Sequence, residues 1–221
     1  MPIDKRKNYY LMLDTETANT MEDPMCYDIG GAIIDKKGNT YETFSFVIYE
    51  VFCLDRPLFD TAYYAEKRPL YEEAIKNNSK RIVSIYTARK TIRELCDRWQ
   101  VKAIIAHNAT FDYRSTSKTI RYLTKSKVRY FLPYGIPLWD TMKMADDTIC
   151  KQKSYIRWCE NNGYCQKNGK PRRTAEILYR YITGNPTFEE QHMGVEDCEI
   201  EAAIFAHCLR QHKKMRKLAF S

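Results

Sequence analysis

The sequence has no long apolar run. No segment approaches the roughly 20 consecutive apolar residues that a membrane-spanning helix needs. The opening stretch MPIDKRKN is charged, and the apolar run behind it, Tyr9 to Leu13, is far too short for the core of a secretory signal. There is no internal repeat and no low-complexity linker, which excludes a string of modules. Among eight cysteines, at positions 26, 53, 96, 150, 159, 165, 198 and 208, no Cys-x-x-Cys pair occurs. Cys159 and Cys165 bracket ENNGY, a spacing unlike that of the common zinc knuckles. A chain of 221 residues, 44% of them hydrophobic, is also too long and too rich in core to need a disulfide framework. Free, reduced thiols are expected, and with them the cytoplasm or an equivalent reducing compartment.

What is present is core and positive charge. With 13% aromatic residues the composition is not that of a disordered chain. The length fits one domain over residues 1–221, with room for an appendage. The formal net charge is +8 and the pI is near 9.0. That balance favours a polyanionic partner, nucleic acid ahead of a membrane surface. Basic clusters at Lys5–Lys7, Lys125–Arg129, Lys167–Arg173 and Lys213–Lys217 suit sequence-independent contact with phosphates.

The pattern along the chain is α/β. Tyr9–Leu13 reads as a buried strand and YDIGGAIID, Tyr27–Asp35, as a second. The turn signal KKGN follows, and TYETFSFVIYE alternates as a third, giving an antiparallel meander. Between Arg56 and Gln100 the apolar spacing becomes helical, as at Ile92, Leu95 and Trp99. Lys102–Ala106 predicts a fourth strand, and Leu138–Asp140 a fifth strand or strand-to-helix junction. Helices are predicted over DYRSTSKTIRYLTKSK, KSYIRWCEN and TAEILYRYITG, the last stopped by Gly184. VEDCEIEAAIFAHCLRQHKK closes the chain as a long helix. Residues 161–173 are turn-rich and basic, and read as an inserted hairpin or loop.

Asp14 and Glu16 follow the first apolar run directly. Residues i and i+2 of a strand share a face, so the two carboxylates point together. Paired carboxylates repel unless a cation lies between them, and hard divalent cations suit oxygen ligands. An Asp-x-Glu pair is ordinary in a chain with this many acids, and a second stands at Asp197/Glu199. That second pair falls in a predicted helix, where i and i+2 diverge. Two more segments add weight. AHNATFDYR places Asp112 at a helix start after the fourth strand. HMGVEDCEIEAA places His192 in a loop and Asp197 in the first turn of the last helix. A carboxylate in a first helical turn is also a plain dipole or capping choice.

Taken in order, DTET, HNATFD and HMGVED resemble the three motifs of the DEDDh 3′–5′ exonucleases, a family that includes the proofreading subunit of bacterial DNA polymerase III. The resemblance runs from Tyr9 to about Arg210. Gly194 stands where the family often has alanine, and the basic insert is longer than a minimal member needs. The resemblance implies an RNase H-like mixed five-stranded sheet, a three-strand antiparallel meander plus two parallel strands, flanked by helices. It implies two divalent cations, Mg²⁺ or Mn²⁺, held by Asp14, Glu16, Asp112 and Asp197. His192 would be the catalytic base. His107 also precedes an aspartate by five residues and is read as a positioning residue. Thr15 and Thr17 would hold the terminal nucleotide, and Asn108 and Phe111 would support the second-motif loop. The implied activity is metal-dependent 3′–5′ hydrolysis of DNA, single-stranded first, releasing nucleoside 5′-monophosphates. RNA or an oligoribonucleotide is the alternative substrate. A catalytically silent nucleic-acid-binding module on the same fold is the second alternative. Any polymerase partner would be a separate chain.

Overall fold

The computed structural model describes residues 3–124 and 129–220. Three antiparallel strands come first: β1 (Tyr9–Ala18), β2 (Met25–Asp35) and β3 (Thr40–Ile48). Two helices follow, α1 (Arg56–Phe59) and α2 (Arg68–Lys76), before a short strand β4 (Arg81–Val83) and the helix α3 (Ile85–Trp99). Next come β5 (Ile104–Ala106), α4 (Ala109–Thr124), β6 (Leu138–Asp140) and α5 (Thr141–Asp147). The chain ends with α6 (Lys153–Asn161), α7 (Ala175–Thr183) and α8 (Val195–Arg210).

The sheet order is β4-β3-β2-β1-β5-β6. The meander and the two parallel strands β5 and β6 stand as the sequence predicts. The sheet has a sixth strand, however, not five. β4 pairs parallel with the edge of β3. It is three residues long with two of them exposed, so it carries no periodicity that a sequence pattern can show. The other difference lies in β1. The buried run Tyr9–Leu13 is only its first half, and the strand continues past both carboxylates to Ala18, with a register shift between Glu16 and Thr17.

The two sheet faces carry separate cores. Leu11 and Leu13 of β1 face a cluster with α3, including Ile92 and Trp99. Tyr10 and Met12 face the opposite cluster, which includes Phe205 of α8 and Leu178 of α7. Every residue of β2 is buried, because β2 has strands on both edges and helices over both faces. Gly30 and Gly31 at its centre are required by close approach. A Cβ on Gly30 would lie 2.0 Å from the Val195 nitrogen, and one on Gly31 would strike the Phe44 ring at 2.2 Å.

The outer edge of β6 is covered by the end of the chain. The Ala219 amide donates to the Leu138 carbonyl, and the Asp140 amide to that of Lys217. No helix among the described residues is long and apolar enough to cross a membrane.

Candidate active site

Asp14 and Glu16 project from β1 toward α8, as their shared face with Tyr10 and Met12 requires. Asp197 lies in the first turn of α8 and is 3% exposed. One of its oxygens accepts the Met193 amide at 2.9 Å. Ligand atoms of Glu16, His192 and Asp197 all lie within 4.8 Å of one another. Asp112 reaches the same region from the first turn of α4 and is 3% exposed.

The electrostatics show the crowding. Burial first, then the neighbouring charges of Glu201, Glu16, Asp112 and Asp197, push the Asp14 carboxyl well above the usual carboxylate range. Burial and the Asp197 charge raise Glu16 to about 8. Burial raises Asp112 to about 7, against the lowering effect of its Thr15 hydrogen bond, and burial raises Asp197 to about 6. Asp14 Oδ2 and Asp197 Oδ1 are buried oxygens without a hydrogen-bond partner among the described residues. Buried acceptors left bare cost free energy, and a proton or a hard cation with oxygen ligands would each relieve that cost.

His192 sits in the loop before α8 with a left-handed φ of 52°. Its ring stacks on Tyr64 at 4.5 Å with an interplanar angle of 15°. Burial, with the nearby Lys67 charge, lowers its pKa, which favours the neutral ring at pH 7. Lys67 donates to the Gln191 carbonyl at 2.6 Å and lies over the Tyr64 ring at 4.1 Å.

His107 is occupied on both sides. Its Nδ1 lies 2.9 Å from the Thr141 hydroxyl and its Nε2 lies 2.7 Å from the Arg173 carbonyl. A carbonyl only accepts, so Nε2 carries the proton, and Nδ1 competes with the Ala106 carbonyl, 3.3 Å away, for the single Thr141 hydroxyl proton. This ring ties the second-motif loop to the end of the insert. The insert itself is a small hairpin, bridged between Cys165 and Pro171 and turning at Gly169. Lys167, Lys170 and Arg172 are exposed on it, while Arg173 pairs with Asp146.

The remaining expected contacts are mixed. Thr15 is buried, and its hydroxyl donates to Asp112 Oδ1 at 2.8 Å. That bond places its side chain to orient the Asp112 carboxylate. Thr17 is half-buried and Asn108 is exposed. Asn108 has a φ of 68° and accepts the Phe111 amide through its carbonyl, while its own amide donates to Asp140. The Arg114 guanidinium lies 5.6 Å from the Phe111 ring. Of the other basic clusters, Arg6 pairs with Asp4 and Arg216 with Asp147. Within Lys125–Arg129, residues 125–128 lie outside the described residues.

Sequence reasoning missed four groups here. Glu201 is 2% exposed and stands one turn beyond Asp197, with a buried bare oxygen. Two acids four apart on the buried face of an apolar helix were a visible signal. Tyr64, Lys67 and the buried pair Asp28–Lys80 come from segments with no motif, and only the fold brings them to the loop.

No protein-family model matches the sequence, and no curated protein matches it by sequence. The likeness is in the fold. The nuclease domain of 3′hExo, a DEDDh family member bound to rAMP, superposes with a TM-score of 0.58 at 11% identity, over 97% of this chain and 98% of that one. Cell-death related nuclease 4 (CRN-4) gives 0.55 at 11% identity, over 96% and 67%. E. coli Exonuclease I in complex with a dT13 oligonucleotide gives 0.55 at 16% identity, over 93% of this chain and 41% of that one. The chain thus has the RNase H-like fold of the DEDDh exonucleases.

Proposed function

We propose that this chain is a metal-dependent 3′–5′ exonuclease. It hydrolyses phosphodiester bonds from the 3′ end of DNA, single-stranded DNA first, and releases nucleoside 5′-monophosphates. The observation that carries this is the crowding of Asp14, Glu16, Asp112 and Asp197, with raised pKa values and bare oxygens, beside His192. The basic balance of the chain and the nucleotides held by 3′hExo and Exonuclease I support nucleic acid as the partner. Eight free cysteines fit a reducing compartment such as the cytoplasm.

Asp14, Glu16 and Asp197 would hold one Mg²⁺ or Mn²⁺ ion, and Asp14 with Asp112 a second, more weakly held. Bound there, the ions would offset the negative charge that develops on the attacking and leaving oxygens. His192 accepts the proton of the attacking water, and its lowered pKa keeps the ring ready to do so near neutral pH. Tyr64 fixes the plane of that ring. Thr15 orients Asp112. Thr17, Asn108 and the backbone amides of β1 meet the terminal nucleotide, and Phe111 supports the first turn of α4. Matched digests of single-stranded DNA and RNA test the substrate. DNA should be consumed faster. Faster loss of RNA would favour the ribonuclease alternative, and binding without hydrolysis of either would favour a silent module.

The exposed hairpin gives a separate prediction. Changing Lys167, Lys170 and Arg172 to alanine should weaken oligonucleotide binding and flatten its salt dependence. Hydrolysis of a mononucleotide ester should stay nearly intact, since so small a substrate does not reach the hairpin. Equal losses on both substrates would show that the hairpin acts through structure alone. Arg173 is left out of the set because it also pairs with Asp146.

A further inference from the structure

Lys80 is 2% exposed and Asp28 is fully buried. A buried ammonium and carboxylate persist only when paired, and each hydrogen bond they make lowers the cost. Asp28 Oδ1 is buried with no hydrogen-bond partner among the described residues, so the pair is held through Oδ2. Here the ammonium has three protons and three acceptors. Asp28 Oδ2 lies at 2.9 Å, the Ser45 hydroxyl at 2.8 Å and the Met193 carbonyl at 3.2 Å. Tyr71 of α2 donates to the same Asp28 oxygen at 2.9 Å. Two of the ammonium's acceptors belong to the sheet, Asp28 in β2 and Ser45 in β3. The third belongs to the loop that carries His192.

That loop needs holding. His192 and Gly194 flank Met193 and both have a φ of 52°; glycine adopts that conformation freely, but for His192 it is disfavoured. The loop lies directly on the β2 backbone, where Gly30 leaves no room for a Cβ beneath Val195. Lys67 grips the Gln191 carbonyl from the solvent side. Lys80 grips the Met193 carbonyl from inside, where low dielectric strengthens a charged hydrogen bond. Asp28 also faces Glu16 across the β1–β2 pair, so the Lys80 charge offsets a carboxylate that would otherwise add to the crowded cluster.

We propose that Lys80, fixed by Asp28 and Ser45, is a positioning residue for the His192 loop. It holds the Met193 carbonyl and so sets where the imidazole stands over the carboxylates. This rests on His192 being the proton acceptor.

The test changes both charges together, Asp28→Asn with Lys80→Met, so that no bare charge is left buried. Unfolding should remain cooperative. In the metal-free protein, amide exchange across Gln191–Val195 should quicken about tenfold, with the central strands unchanged. The turnover rate should fall roughly 10–100-fold, the usual effect of a small misplacement, with little change in KM. In a His192→Ala background the same pair of changes should cost no further turnover. Unchanged loop exchange would overturn the proposal, and so would an equal loss in both backgrounds. If His192→Ala itself had no effect, the assignment of the base would fall, and loop exchange alone would decide whether Lys80 holds the loop. Should the paired variant not fold, Ser45→Ala removes one of the three acceptors and keeps the ion pair. It should give a smaller loss of turnover that again vanishes in His192→Ala, and a loss that persists there would overturn the proposal.

Discussion

His192→Ala should lower the turnover rate by about 10²–10⁴-fold, the usual contribution of a positioned acid–base group. Substrate binding should change little, because the ring acts on the attacking water in the transition state. The parent enzyme should gain activity as pH rises through the His192 pKa, which burial places below the ordinary imidazole range. The variant should lose that limb. Some pH dependence will survive, since a bound cation also lowers the pKa of its water. His107→Ala is the matched control. Both of its ring nitrogens are engaged, with Thr141 and Arg173, so its loss should chiefly cost stability. If the two variants exchanged their effects in steady-state kinetics, the base would be His107 and the third motif would be misassigned.

Chelation should abolish hydrolysis, and Mg²⁺ or Mn²⁺ should restore it. Asp14→Asn should be inactive yet folded, and more stable than the parent when metal-free, because one of several crowded charges is gone. The same crowding sets a pH dependence. Asp197, Asp112 and Glu16 titrate at about 6, about 7 and about 8 in the folded chain, well above the ordinary carboxylate range of about 4. The folded state therefore binds these protons more tightly than the unfolded state. The stability they contribute is complete below about pH 4 and is lost as pH rises through the folded values. Thermal melts of the metal-free protein should fall between pH 5 and 8, with at most about 1.4 kcal/mol lost for each tenfold difference in proton affinity between the folded and unfolded chain. Divalent cation should reverse the fall, and Asp14→Asn should flatten it. A flat profile with no response to cation would mean that the cluster holds no metal.

Much of this site was legible in the sequence, for a local reason. The i, i+2 spacing of Asp14 and Glu16 fixes a shared face whatever surrounds the strand. Asp112 and Asp197 announce themselves at helix starts, just after a strand and a glycine-containing loop. The rest was illegible because it is assembled across the fold. β4 is too short for a period. Thr15 lies between two acids in sequence, yet its alternate direction turns it to Asp112 on α4. Tyr64 and Lys67 reach His192 from more than 120 residues away in sequence. Lys80 looks like one more surface lysine in a basic chain, and only the geometry shows it buried against Asp28.

The most direct measurement follows a 5′-labelled single-stranded DNA through time, with Mn²⁺ and then with EDTA. With Mn²⁺ the label should pass through a ladder shortened one nucleotide at a time from the 3′ end, with nucleoside 5′-monophosphates as the released product. EDTA and Asp14→Asn should each leave the strand whole. Internal cuts, shortening from the 5′ end, or hydrolysis that resists EDTA would contradict the account.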